Sequence, residues 1–77
     1  MYGWKFYDVE IHDKKTDEFI KYENYTTLEE AKDYMKRMID TKSLDYNEKM
    51  LLIERNYNTN RDLIRETVIE EVDYNGK

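Results

Sequence analysis

Between Trp4 and His12 apolar residues recur at every second position, with Tyr7, Val9 and Ile11 on one side and Trp4 and Phe6 on the other beside Asp8 and Glu10. A period of two in a stretch rich in β-branched and aromatic residues predicts a strand. Asp13 to Glu18 is polar and rich in turn-forming side chains, and Phe19 to Tyr25 is again apolar and aromatic. The two runs therefore read as a hairpin.

The period then changes. Leu28, Ala31, Met35, Met38 and Ile39 form one helical stripe, with Glu30, Lys32, Asp33, Lys36 and Arg37 on the far side. Thr26 and Thr27 each precede an acid by three residues, Glu29 and Glu30, the spacing at which a hydroxyl caps a free amide. The helix is expected to end between Asp40 and Lys42, because Ser43, Asp45 and Asn47 compete for backbone hydrogen bonds.

Met50 to Ile53 is a continuous apolar run, and Asn58 to Asp62 separates it from Leu63 to Tyr74. That last segment also fits a helix capped by Asn60, but Ile64, Thr67, Val68, Ile69 and Val72 are β-branched and favour a strand.

A helix of about 14 residues spans roughly 21 Å, enough to return the chain along the sheet and set strand three parallel to strand two. Strands one and three carry the most continuous apolar character and belong in the centre, and strands two and four carry charge suited to edges. The expected fold is α+β, β-β-α-β-β: a four-stranded antiparallel sheet of order 2-1-3-4, one helix packed on one face, with residues 1–77 forming a single small domain.

Composition narrows what such a domain does. The hydrophobic share of 39% against a charged share of 40% leaves a thin core, and eleven aromatics supply much of its burial. There is no cysteine, so neither a disulfide framework nor a zinc ribbon staples it. No apolar run approaches the roughly 20 residues of a spanning helix, and the amino terminus lacks a signal-peptide pattern, so the expected location is cytoplasmic, without a membrane partner. A net charge of −5 disfavours nucleic acid as a partner.

Catalytic chemistry is poorly provided for. The single pairing of Ser43 with His12 has no glycine-rich elbow, and Gly3 and Gly76 lie at the chain ends, where they cannot form a phosphate-cradling loop. His12 with Asp13, Asp17 and Glu18 matches no metal-ligand spacing, and a hairpin tip uses the same residue types. Glu29 with Glu30 suits a helix amino terminus, and Glu70 with Glu71 a charged edge. No catalytic residue, cofactor or metal site is expected.

Parity on the strands points to a surface. If Tyr7, Val9 and Ile11 face the helix together with Leu51 and Ile53, then Trp4, Phe6, Met50, Leu52 and Val68 share the uncovered face with Asp8, Glu10, Glu54 and Glu66. Such an apolar patch exceeds what monomers usually leave to solvent. The expected function is a non-enzymatic protein-interaction module that binds itself, as a homodimer, or a host protein, through the open face or an edge strand. The alternative is an acidic inhibitor that imitates nucleic acid. Two structural outcomes would remove the patch: a bulge near Phe6 and Tyr7, or a carboxy-terminal segment wrapped across the sheet. The abundance of Lys, Asn, Ile and Tyr, without proline and with one alanine, fits an AT-rich source such as a low-GC bacterium, its phage or a mobile element.

Overall fold

A computed structural model describes residues 3–76. The elements are β1 (Trp4–Asp13), β2 (Phe19–Tyr25), α1 (Leu28–Asp40), β3 (Glu48–Tyr57) and β4 (Leu63–Asp73). They form one sheet of order β2-β1-β3-β4 in which every neighbouring pair is antiparallel. This is the fold expected from the pattern, and the carboxy-terminal segment is a strand.

Local chemistry sets the boundaries. Thr27 caps α1 in extended backbone, its hydroxyl accepting the Glu30 amide at 3.2 Å and donating to the Glu30 carboxylate at 2.9 Å. At the other end Lys42 takes a left-handed conformation, φ 54°, while its amide and that of Ser43 donate to the carbonyls of Ile39 and Met38. That pair of bonds is the Schellman termination, here without its usual glycine. The β1–β2 turn closes on Asp13, whose carboxylate accepts the amides of Lys15 and Thr16, both at 2.8 Å. Asn58 does the same work between β3 and β4, accepting from the amides of Asn60 and Asp62.

Helix α1 lies over one face. Its backbone lies against β1, β2 and β3, and among the described residues it approaches β4 only through side chains, with Val72 at the margin of the core. The core beneath it consists of Val9, Ile11, Ala31, Met35, Leu44, Met50 and Leu52, edged by Tyr7, Tyr25, Leu28, Tyr34, Met38, Ile39 and Val72. Because the sheet runs beyond its helix, the Cα radius of gyration is 13.1 Å, against roughly 11.5 Å for a compact domain of this length.

Strand β3 corrects the expected parity. Val9 pairs with Leu52 and Ile11 with Met50, so Met50 and Leu52 project under the helix, where both are fully buried. Neither belongs to an open-face patch; Leu51 and Ile53 face the other way. A four-residue apolar run has no phase of its own, and a one-residue shift sends every side chain of a strand to the opposite face. The same shift takes Glu54 to the helix side, opposite Tyr7, and brings Arg55 to the open face. No bulge interrupts β1 near Phe6, whose pairing with β3 is continuous from Trp4 to Asp13.

Leu52→Ala, which opens space beneath the helix, is expected to cost about 3 kcal/mol, and Val68→Ala on the far side of β4 less than about 1 kcal/mol. Urea denaturation of the two variants measures the contrast, and equal costs would contradict the burial of Leu52.

Candidate functional site

The face opposite α1 takes every second residue of the central strands, Trp4, Phe6, Asp8, Glu10 and His12 from β1 and Lys49, Leu51, Ile53, Arg55 and Tyr57 from β3. Register adds Asn24, Tyr22 and Phe19 from β2, and Glu66, Val68 and Glu71 from β4. A shift at Ile20 in β2 makes this possible, because it carries Phe19 across to stand opposite His12.

An ionic cluster occupies the centre. The Arg55 guanidinium lies 2.6 Å from Asp8, 2.7 Å from Glu10 and 3.3 Å from Glu66. Asp8, only 4% exposed, accepts a further bond at 2.6 Å from the Asn24 amide. His12 Nε2 stands 2.8 Å from Glu10, and its Nδ1 faces the Asp17 carbonyl at 3.3 Å. Among the described residues no buried side-chain nitrogen or oxygen lacks a partner. A network so completely satisfied holds its members in fixed positions, and a half-satisfied one would destabilise the sheet.

Burial alone would raise the Glu10 pKa, but its bonds to His12 and Arg55 outweigh this and leave the carboxyl below its ordinary range. Burial likewise opposes the charge on Arg55, and bonds to Asp8, Glu10 and Glu66 push its pKa well above the usual value. At the hairpin tip the bond between Lys49 and Asp17, 2.7 Å, lowers the Asp17 pKa and raises that of Lys49. These shifts favour permanently charged groups, the reverse of what a carboxyl needs to serve as a general acid near neutrality.

Apolar side chains surround the cluster. Ile53 is buried within it, and Trp4, Phe19, Tyr22 and Val68 are 41%, 53%, 56% and 53% exposed. Phe19 stands edge-on to His12 and tilted against Tyr22, with centroids 5.8 and 6.0 Å apart. At the other end Trp4, Phe6, Asn24, Tyr57 and Arg61 line a shallow depression of about 440 Å³, with Arg61 over the Trp4 ring at 5.8 Å.

Of the residues expected on this face, Trp4, Phe6 and Val68 lie there and Met50 and Leu52 do not. Arg55, Phe19 and Tyr22 were not expected there. Ser43 and His12 have separate duties, Ser43 bonding Thr41 at the helix terminus at 2.6 Å and His12 bonding Glu10 and Asp17. Asp13 is committed to its turn, and the described residues hold no group of three or more side chains suited to a metal ion. No described helix is long and apolar enough to cross a membrane.

Replacing Arg55 with Met would leave Asp8 and Glu10 without their shared guanidinium partner, at an expected cost of about 3 kcal/mol near neutral pH. Since the Glu10 pKa is lowered on folding, its stabilisation is complete above the ordinary value of 4.5 and is lost as pH falls through the folded value. Arg55→Met should therefore cost less at a pH low enough to protonate Glu10 than near pH ~7, where Glu10 is ionised. Urea melts at the two pH values test this, and a cost independent of pH would reduce Arg55 to packing.

Comparison with known proteins finds no matching family model, no matching curated protein and no matching solved structure.

Proposed function

We propose that this domain is a non-enzymatic interaction module whose working surface is the open face of the sheet, and that its partner is a protein, either a second copy or a host protein. The observation that carries this reading is the joint exposure of Trp4, Phe19, Tyr22 and Val68 around the Arg55 cluster. Rigid aromatic side chains bury large areas at small entropic cost and are the usual anchors of protein interfaces. The ionic cluster supports them by fixing the strands from which they project.

Charge narrows the partner. Asp8, Glu10, Glu66, Glu71 and Asp73 outnumber Arg55 and Lys49 on this face, so a complementary surface would combine apolar with basic groups. The same excess gives some support to an acidic inhibitor that occupies a nucleic-acid-binding protein. Against that reading, Arg55 neutralises much of the central charge, leaving no regular row of free carboxylates. Such a surface would suit a phage or mobile-element product acting on host proteins in the cytoplasm.

Trp4→Asp combined with Val68→Asp places two charges on exposed open-face positions and leaves the helix-side core intact. The double variant is expected to keep its far-UV circular dichroism and to lose the proteins that the unsubstituted chain retains from a bacterial lysate. Retention should persist from low to moderate salt, because apolar contacts dominate it, whereas a nucleic-acid imitator would release its partner steeply. A folded double variant that captures the same proteins would overturn the assignment of this face.

A further inference from the structure

We propose that two copies of this chain join through β2, edge to edge and antiparallel about a dyad at Tyr22, to make one continuous eight-stranded sheet. This goes beyond the reading of the open face as a binding surface and uses a different part of the sheet, so the two stand or fall separately.

The sheet has two edges, β2 and β4, and they differ in what they offer a second copy. Strand β4 carries Arg65 against Glu66, Glu70, Glu71 and Asp73, and its register with β3 breaks twice. Two such strands side by side would repel, and the breaks twist the edge away from a straight ladder, both recognised means of blocking edge pairing. Strand β2 carries one cation and one anion, Lys21 and Glu23, and its register with β1 shifts once, near one end.

Those two charges are self-complementary. Lys21 and Glu23 stand opposite Ile11 and Val9 and so share the helix side of the sheet, and both are exposed. Among the described residues neither has an ion-pair partner within the chain. A dyad perpendicular to the sheet keeps each face on its own side, which requires that one residue of β2 face itself. Centred on Tyr22, the dyad sets Lys21 against Glu23 of the second copy and Glu23 against its Lys21, two favourable cross-strand pairs. Centred on Lys21 or on Glu23, it would set like charges directly opposite. The charge pattern thus selects one register from the three central ones.

The in-phase ladder runs from Lys21 to Glu23, because the extra residue at Ile20 puts Phe19 and Tyr25 on opposite faces. Phe19, Ile20 and Tyr22 are 53%, 45% and 56% exposed, more apolar surface than an edge destined for water normally shows. On the open face Tyr22 would meet its counterpart, with Phe19 beside it at 6.0 Å. The two helices would stand on the same side of the joined sheet. With α1 lying over β1, three strand spacings of about 4.8 Å set the helix axes about 14 Å apart, beyond the 8–10 Å at which packed helices touch.

Sedimentation equilibrium of the purified chain is expected to show a dimer. Lys21→Glu and Glu23→Lys, made in separate chains, each turn two attractive pairs into two repulsive ones and should raise the dissociation constant about tenfold. An equimolar mixture of the two chains should restore association, because every cross-dyad pair is then opposite in sign. The double variant Lys21→Glu with Glu23→Lys in one chain should dimerise like the original, which separates pairing from any effect on folding. A monomeric original chain, single variants that dimerise unchanged, or a mixture that does not recover would each overturn the proposal. Dissociation by Trp4→Asp with no effect of Lys21→Glu would also overturn it, while leaving the open face as the binding surface.

Discussion

The register between β1 and β3 governs both faces of this molecule. Pairing Val9 with Leu52 and Ile11 with Met50 places four apolar side chains beneath α1, and the same alignment brings Arg55 to Asp8 and Glu10 on the other side. In the alternative phase Leu51 and Ile53 would lie under the helix, with little loss of apolar area. Glu54 would then stand with Asp8 and Glu10, and three carboxylates would crowd the open face without a central cation. The apolar run leaves the phase nearly degenerate, and charge resolves it.

That dependence gives the ionic cluster a structural meaning apart from net stability. A buried ion pair often contributes little against an apolar substitute of the same shape, because desolvation offsets the attraction. Its effect on alternatives is larger, since a slipped register leaves charges uncompensated. The cluster also accounts for how Asp8 comes to be buried on a face with no helix: the Arg55 side chain lies over it and Asn24 flanks it. The sheet in effect has an apolar core on one side and a small polar core on the other.

The order of elements was legible because each rests on a local signal. Thr27 with Glu30 set the helix start, Asp13 and Asn58 the two turns, and the shift from a period of two to a helical period separated strand from helix. Strand β4 was ambiguous by pattern and is resolved by pairing, with Val68 opposite Ile53. The phase of β3 had a readable signal in the opposition of Arg55 to the acids of β1, but hydrophobicity alone points the other way as readily as the right one. Bulges left no trace: the extra residues at Ile20 in β2 and at Ile64 and Ile69 in β4 do not alter composition, and their partners fix them. Phe19 was therefore missed on the open face, although its type suited it.

The two edges show how a small, sticky sheet can be selective. An exposed strand offers unpaired amides and carbonyls to any extended chain, and a protein with this many β-branched residues near its edges is exposed to uncontrolled growth. On β4 the apolar residues Leu63, Ile64, Val68 and Ile69 are interrupted by charge of mostly one sign and by two breaks in register. On β2 the charges balance at neighbouring same-face positions and only one break occurs, near an end. Pairing through β2 is self-limiting, because a dyad consumes both copies of that edge and leaves only β4 outward. A closed dimer, not a growing ribbon, is the assembly that the proposed pairing through β2 would give.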